Sequence, residues 1–182
     1  MFEIVYNFDG RQQCKQKIME TYKVVIEIPK GNVNNKYEYD EVSKEFKLDF
    51  VFENIVWPYN YGFFPGTLGG DGDTLDALVL SSAPLKQGQE VEVKIIGAID
   101  VLDRGEEDFK IVCLPLHQMV QGVPSSDALS PSANDISDIP EAQLKEWGGF
   151  FMELARQKKK VTKIKGFLGK EEASILVKKS FK

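Results

Sequence analysis

Six segments in the middle of the chain have the residue pattern of β-strands, and no helical pattern lies between them. They are YKVVIEIP (22–29), NKYEYDEV (35–42), FKLDFVFENIVW (46–57), LDALVLSS (75–82), QEVEVKIIGAIDVLD (89–103) and DFKIVCLPL (108–116). They are rich in β-branched and aromatic residues, several alternate, and glycine, proline or asparagine separates them. A parallel α/β fold needs helices between its strands, so this order disfavours it. The sequence therefore predicts a mainly β protein.

Helical periodicity appears only toward the carboxyl end. Asp138 is a candidate N-cap there and Pro140 falls in the predicted first turn, although Gly148 and Gly149 weaken the helix. A second short helix is predicted from Glu171 to about Lys179, after Gly169 ends a strand. The apolar residues of the first helix, spaced by three and four, are Leu144, Trp147, Phe151 and Leu154. Many short strands followed by one or two helices favour a small β-barrel with helices packed outside it, an α+β arrangement.

The chain has the size and composition of one domain. It holds 182 residues, of which 42% are hydrophobic, so we expect a single domain over residues 1–182 with a substantial core. The Pro/Ser-rich connector at 121–140 is expected to be an ordered surface loop of that domain. No apolar run approaches the roughly 20 residues that cross a bilayer, and the first residues lack the layout of a signal peptide. We expect a cytoplasmic protein without membrane contact.

Composition excludes several kinds of chemistry. Cys14 and Cys113 form no CxxC pair, and Cys113 is predicted to be a buried strand residue, so a disulfide framework is not expected. His117 is the single histidine and is interpreted as a loop or core-edge residue, which leaves too few ligands for a His/Cys zinc site. Residues 158–182 are basic, but their lysines flank apolar patterns, so a solvated surface is favoured over a nucleic-acid site.

Three carboxylates lie within six residues, at Asp71, Asp73 and Asp76, directly before a strand. Like charges this close repel one another unless a cation lies among them. An EF-hand calcium loop does not fit, because its fifth and twelfth positions would be Leu75 and Ser82. The surrounding sequence also lacks both common phosphate-loop patterns. A hard-cation site of the kind that suits Mg²⁺ remains.

A second acidic cluster follows one strand later. Hairpin geometry would bring Asp103 and Asp108 opposite each other, and Lys36, Tyr61 and Lys110 could hold phosphate oxygens. This combination indicates a multi-metal site for phosphoryl chemistry. Two other interpretations stay open from the residues alone, namely solvated acidic turns and a structural calcium site. The acidic residues of the second cluster are Asp100, Asp103, Glu106, Glu107 and Asp108.

Four motifs in order resemble those of the family I soluble inorganic pyrophosphatases. DGDTLDAL matches the D-x-D-x-x-D signature of that family and follows PYNYGFFPGTL at the right distance. Upstream, VVIEIPKGNVNNKYEYD resembles the first strands of the family, and downstream DRGEEDFKIVCLP resembles its second acidic hairpin. Together they cover roughly residues 23–118, and the weaker DIPEAQLKEWGGFF extends the resemblance into the late helix.

The resemblance implies a fold, an activity and a set of site residues. The fold is a small closed five-stranded OB-like β-barrel with flanking α-helices, in a cytoplasmic homo-oligomer for which a hexamer is favoured. The activity is Mg²⁺-dependent hydrolysis of pyrophosphate to two phosphates, in which Asp73 acts as general base toward a water held between two metal ions. The implied metal ligands are Asp71, Asp76 (bridging two ions), Asp103 and Asp108, with Glu27 in the outer shell, whereas Lys36, Tyr61 and Lys110 hold phosphate and Glu38 falls on a functional position.

The sequence departs from the family pattern at three places that usually contact phosphate. Asp49 or Phe50 stands where an arginine is expected, Trp57 where a tyrosine is expected, and Leu154 and Ala155 where a Tyr-Lys pair is expected. Substitute cations could come from Arg104, Arg156 or Lys158 to Lys160. The prediction is an active, divergent pyrophosphatase. The alternative is a weak or inactive homologue that binds Mg²⁺ and pyrophosphate or another phosphorylated ligand.

Overall fold

A computed structural model describes residues 3–6, 12–15, 20–116 and 133–182. Eleven strands and two α-helices are assigned in this part of the chain. The strands are β1 (Glu3–Tyr6), β2 (Gln12–Lys15), β3 (Tyr22–Ile28), β4 (Val33–Asp40), β5 (Glu45–Val56), β6 (Asn60–Phe63), β7 (Asp76–Val79), β8 (Glu90–Asp103), β9 (Glu106–Glu107), β10 (Lys110–Pro115) and β11 (Thr162–Gly169). The helices are α1 (Glu141–Gln157) and α2 (Lys170–Ser180), and a 3₁₀ turn at Ile136–Asp138 precedes α1. The prediction of a mainly β protein is confirmed.

The main sheet is built around the long strand β8. Antiparallel pairing joins β8 to β3, β10, β11 and the short β9. β3 pairs with β6 and β6 with β7, also antiparallel, whereas β7 and β10 run parallel. The pairings therefore lead from β8 through β3, β6 and β7 to β10 and back to β8. The ends of β7, β8 and β10 meet in this arrangement, and these ends carry the acidic motifs.

Two hairpins form sheets of their own. β1 pairs with β2, and β4 pairs with β5, which is antiparallel with register shifts near Asn35 and Lys36. The β4–β5 hairpin leaves several apolar side chains exposed, and it presents its polar residues Lys36 and Glu38 to the acidic end of the main sheet. It thus brings a cation and a carboxylate from early in the chain to the later acidic motifs.

The two helices cover the main sheet through two apolar clusters. Trp147, Phe151 and Leu154 of α1 pack into a cluster that includes Phe52 and Trp57. Ala173 and Val177 of α2 join a second cluster with residues of β3, β7, β8 and β10. The spacing of the apolar residues in α1 therefore predicted its buried face correctly, although Leu144 is only partly buried.

The helix boundaries correct two predictions. Pro140 is the N-cap of α1 and does not lie in its first turn. Asp138 is not the cap of α1, because its carboxylate accepts backbone N–H groups of Asn134 and Asp135 at the preceding 3₁₀ turn. The second helix is confirmed, with bounds at Lys170 and Ser180.

Some sequence predictions fall on residues whose structure is not described. His117 and residues 121–132 of the connector lie outside the described ranges, and so does the side chain of Cys14. Cys113 is described, and its predicted burial in a strand is confirmed. Neither helix of the described chain has the length and apolar character needed to span a lipid bilayer.

Candidate active site

The sequence-predicted site residues converge on one cavity and its immediate extension. The larger cavity has a volume of about 370 Å³. Nine of the predicted residues line it, namely Glu27, Lys36, Glu38, Asp71, Asp73, Asp76, Asp103, Asp108 and Lys110. Tyr61 lines a smaller adjoining cavity of about 80 Å³, which shares Lys36, Asp76 and Lys110 with the larger one. Residues from six separate stretches of the chain thus meet at one end of the sheet.

Strand register places the central ion-pair cluster. Asp76, the first residue of β7, lies directly opposite Lys110, the first residue of β10. The ammonium group of Lys110 donates hydrogen bonds to the carboxylates of Asp76 and Asp108. The Tyr61 hydroxyl also bonds to Asp76. The side chain of Lys110 is only 9% exposed, so its charge requires these acidic partners.

A tight loop holds the first acidic motif. The Thr67 hydroxyl donates to the carbonyl of Phe64 at 2.6 Å and accepts the backbone N–H of Leu75 at 3.0 Å, which closes the loop across its base. Within the loop, the Asp73 N–H donates to a carboxylate oxygen of Asp71 at 3.1 Å. Gly72 has φ of 91°, a conformation that favours glycine. The glycine between the two aspartates therefore allows both carboxylates to face the cavity.

The second acidic motif is carried by the hairpin of β8 and β9. Arg104 and Gly105 form its turn with φ of 51° and 93°, as the tightest hairpin connections require. Asp103 accepts hydrogen bonds from the Lys160 ammonium at 2.7 Å and the Thr162 hydroxyl at 2.9 Å. The hairpin register pairs Asp103 with Glu106 and not with Asp108, so the predicted opposition is wrong in register. Both aspartates nevertheless line the same cavity.

Glu27 is the most buried carboxylate of the site. It is 6% exposed and accepts the backbone N–H of Tyr39 at 2.7 Å. Burial and the nearby charge of Asp76 raise the pKa of Glu27 from 4.5 to about 8, although the hydrogen bond from Tyr39 opposes this shift. Nothing in the cavity fully compensates this carboxylate, so its charged form is disfavoured.

The close spacing of the carboxylates also changes the pKa values of other acids of the site. Burial, followed by the charge of Asp71, raises the pKa of Asp73. Burial and Asp76 raise the pKa of Asp108, against the opposing charge of Lys110. For Asp76 itself, burial opposes ionisation, but Lys110 and Lys36 outweigh it and hold the pKa below its usual value. The central aspartate is thus charged, and the acids around it experience a surplus of negative charge.

Three of the residues that depart from the family pattern lie at the smaller cavity, whereas Asp49 and Phe50 do not line it. Trp57, Leu154 and Ala155 contribute to its wall together with Phe52 and Phe151. The indole nitrogen of Trp57 is buried and has no hydrogen-bond partner among the described residues. This side of the cavity is therefore apolar, and the cations beside it are the lysines at its rim.

The cations suggested as substitutes lie in different places. Lys158 and Lys160 line both cavities, and Arg104 lines the larger one. The structure does not bring Arg156 to either cavity, because its guanidinium pairs with Glu153 at 2.7 Å along another face of α1. Lys159 is exposed, in a left-handed backbone conformation. Sequence reasoning gave no role to Asp49, which accepts from Lys36 at 3.3 Å and from Lys158 at 2.5 Å.

The donor set of the larger cavity fits a hard divalent cation. Carboxylate oxygens are the preferred ligands of Mg²⁺, and carboxylates outnumber cationic side chains in the lining. Within the described ranges, no three His, Cys, Asp or Glu residues are close enough together to form a metal site as they stand. Lysines lie between the carboxylates, as Lys110 does between Asp76 and Asp108.

Fold and cavity together define a class of protein, a mainly β protein with a carboxylate-rich, lysine-bearing cavity suited to a divalent cation and phosphate. Comparison with known proteins identifies the family. The model of the inorganic pyrophosphatase family matches residues 24–182. An inorganic pyrophosphatase from Halalkalibacterium halodurans is 35% identical over 166 residues, which cover 91% of this chain and 94% of that protein. Another, from Saccharolobus solfataricus, is 37% identical over 167 residues, which cover 91% of this chain and 92% of that protein.

Solved structures agree with these relatives. The crystal structure of an inorganic pyrophosphatase from Neisseria gonorrhoeae has a TM-score of 0.76 and 36% identity, covering 88% of each chain. The structure of the Helicobacter pylori inorganic pyrophosphatase has a TM-score of 0.75 and 32% identity, covering 98% of this chain and 95% of that one. The chain belongs to the family I inorganic pyrophosphatases, and this membership confirms the predicted enzyme class, inorganic diphosphatase.

Proposed function

We propose that this protein hydrolyses inorganic pyrophosphate to two phosphates and that it depends on Mg²⁺. The observation that carries the proposal is the cavity in which the carboxylates of two acidic motifs surround lysines from three other segments. Such a cavity offers oxygen ligands for divalent cations and donors for phosphate oxygens side by side. Family membership supports the same activity.

The proposed metal ligands are Asp71, Asp76, Asp103 and Asp108, with Glu27 in the outer shell. Mg²⁺ bound there would neutralise phosphate oxygens and lower the pKa of a coordinated water. Asp76 is the most central ligand, because it lies opposite Lys110 and within range of Lys36 and Tyr61.

The remaining site residues act on water and on phosphate. Asp73 is the proposed general base, and its raised pKa, caused by burial and by Asp71, suits a carboxylate that accepts a proton. Lys36, Tyr61 and Lys110 donate to phosphate oxygens. Glu38 pairs with Lys36 and holds its ammonium group at the cavity edge.

The proposal also covers the domain, the closure of the barrel, the oligomeric state and the cellular location. We propose a single domain over residues 1–182 whose five strands β3, β6, β7, β8 and β10 form a closed OB-like barrel. The ring of strand pairings supports this description. We also propose a cytoplasmic homo-oligomer, with a hexamer favoured and without nucleic acid or membrane as partner. The mass in light scattering, about six times that of the 20.6 kDa chain, tests the hexamer.

The test of the activity is phosphate release from pyrophosphate by the purified protein across a Mg²⁺ titration. Asp73→Asn preserves the size of the side chain and removes the base. Loss of one such group commonly costs about a hundred- to ten-thousandfold in rate, so the variant should release phosphate at least about a hundredfold more slowly. Rapid release by the wild type that Asp73→Asn does not reduce would reject Asp73 as the base.

Absence of release would reject the hydrolase. Calorimetric titration of the same preparation with Mg²⁺ and pyrophosphate would then distinguish a binding homologue from a protein without this site. Unfolding curves of both proteins control for a change of stability, which is expected to be small because Asp73 is exposed.

A further inference from the structure

Lys158 has a fixed position beside the apolar wall of the smaller cavity. It is the C-cap residue of α1, and its backbone N–H donates to the Leu154 carbonyl at 3.1 Å. Its ammonium group donates to Asp49 at 2.5 Å and lies 5.5 Å from the centroid of the Phe50 ring. The side chain is 18% exposed. A carboxylate, an aromatic ring and the helix end therefore hold this cation at one place.

Lys158 is paired with fewer carboxylates than Lys110 and Lys36, two other lysines of the cavity. Lys110 donates to two carboxylates of the acidic motifs, and Lys36 is likewise shared between two acids. Within the described ranges, Asp49 is the single acceptor of the Lys158 ammonium, and Asp49 also accepts from Lys36. An ammonium group has three donors, so Lys158 keeps donor capacity for a ligand in the cavity.

The ion pair is not needed to attach α1 to β5. Gln157 already does this, because its side chain accepts the Glu53 N–H at 2.7 Å and donates to the Glu53 carbonyl at 3.0 Å. A partly exposed ion pair beside these two bonds adds little stability. Asp49 and Lys158 therefore have a purpose other than holding the helix.

We propose that Lys158 binds phosphate oxygens of pyrophosphate on the α1 side of the cavity and that Asp49 is a positioning residue that holds the Lys158 ammonium for this contact. The inference rests on the proposed function and identifies the residues that bind and position pyrophosphate on the α1 side of the cavity. Leu154 and Ala155 carry no donor, and Lys158 lies one helical turn beyond them on the same cavity. Asp49 on β5 is the carboxylate that orients the Lys158 ammonium.

Kinetics of four variants with Mg²⁺ and pyrophosphate test the proposal. Lys158→Ala should lower kcat/KM by about a hundredfold, the usual lower range for loss of one donor to developing charge. Lys158→Arg keeps the charge and should recover most of this loss. Asp49→Asn should lower kcat/KM less, because the lysine remains but is not held. Arg156→Ala, which removes a cation from the same turn that faces away from the cavity, should stay within about twofold of the wild type.

A double-mutant cycle separates positioning from general stability. If Asp49 acts through Lys158, Asp49→Asn should cost much less activity in the Lys158→Ala background than in the wild type. Lys158→Ala within about twofold of wild-type kcat/KM, the range of a surface change, would overturn the role of Lys158. Additive losses, measured on variants with unchanged unfolding midpoints, would overturn the role of Asp49.

The experiment distinguishes failure of the proposed function from failure of the role of Lys158. If the proposed function is wrong, the wild type itself shows no turnover, and this is known before any Lys158 variant is compared. Calorimetric titration with inorganic phosphate in Mg²⁺ then tests Lys158 on its own. Binding at least about tenfold weaker in Lys158→Ala, equivalent to about 1.4 kcal/mol, supports it, and equal binding overturns it.

Discussion

At the scale of single residues, the site is a balance between buried carboxylates and lysines. Lys110 is shared between Asp76 and Asp108, and Lys160 with Thr162 stabilises the charged form of Asp103 against burial, so the pKa of Asp103 is lowered. Among the described residues Glu27 forms no ion pair, and burial together with Asp76 raises its pKa to about 8 against the weaker effects of Tyr39 and Lys36. The free-energy cost of ionising Glu27 in the folded state should therefore be measurable in the metal-free protein.

Glu27→Gln should stabilise the metal-free protein at high pH. Between pH 4.5 and about 8, the folded state holds a proton on Glu27 that the unfolded state has lost, so wild-type stability falls as pH rises through this window. Glutamine keeps an oxygen to accept the Tyr39 N–H and carries no charge. Above pH 8 the variant should exceed the wild type by up to about 5 kcal/mol, and below pH 4.5 the difference should vanish.

Urea unfolding in EDTA at several pH values measures this difference. Glu45→Gln, at the exposed start of β5, is the matched control and should change stability by less than about 0.5 kcal/mol. If the difference in unfolding free energy between Glu27→Gln and wild type is the same across the whole pH range, the raised pKa of Glu27 is contradicted.

At the scale of elements, close approach of β3 and β6 sets the position of Tyr61. Gly62 lies opposite Ile26 in this pairing, and a Cβ built on it would lie 2.0 Å from the Val25 carbonyl oxygen. The atoms nearest to this Cβ are backbone atoms of Val25 and Ile26, so the strands themselves would have to separate. Glycine at this place is a requirement of the sheet and serves the site indirectly.

Gly62→Ala should be strongly destabilising, by about 3 kcal/mol or more, because the added carbon breaks the pairing of two central strands. Differential scanning calorimetry measures the fall in Tm. Gly149→Ala in α1 is the control, because a Cβ there has nothing within 4 Å. It should raise stability by about 0.5 to 1 kcal/mol through helix propensity. A Gly62→Ala protein as stable as the wild type would contradict the close approach.

At the scale of the whole molecule, cation binding should be linked to folding. The acidic motifs lie on β7, β8 and the loops beside them, which come together only in the folded state. A ligand that binds the folded state alone, at about a hundred times its Kd, stabilises by about 2.7 kcal/mol. Mg²⁺ should therefore raise Tm in the wild type and much less in Asp108→Asn, with Glu171→Gln on α2 as the control.

Calcium distinguishes the remaining interpretation of the acidic cluster. A structural calcium site would give a larger increase in Tm with Ca²⁺ than with Mg²⁺, and the catalytic interpretation predicts stabilisation by Mg²⁺ together with turnover. Equal unfolding midpoints with and without Mg²⁺ would contradict the proposed metal ligands.

Local sequence accounts for most of the elements. Richness in β-branched and aromatic residues, with alternation in several segments, predicted β3, β4, β5, β7, β8 and β10, and the spacing of Trp147, Phe151 and Leu154 predicted α1. β6 was missed as a strand because it is only four residues long and lies in a Pro/Gly-rich motif. The cap of α1 was wrong because Asp138 bonds locally to the 3₁₀ turn, a choice between two nearby backbone partners that sequence spacing does not decide.

The sequence by itself determined the chemistry of the site, because the carboxylates, lysines and tyrosine that line the cavity are recognisable in short motifs, each held by its own turn. Only the tertiary structure decided which cations accompany them. Lys158 and Arg156 are two residues apart and look alike in sequence, yet Lys158 lines the cavity and pairs with Asp49, whereas Arg156 pairs with Glu153 on a different face. The direction of a side chain at a helix end depends on where the helix packs, and that follows from contacts between distant segments.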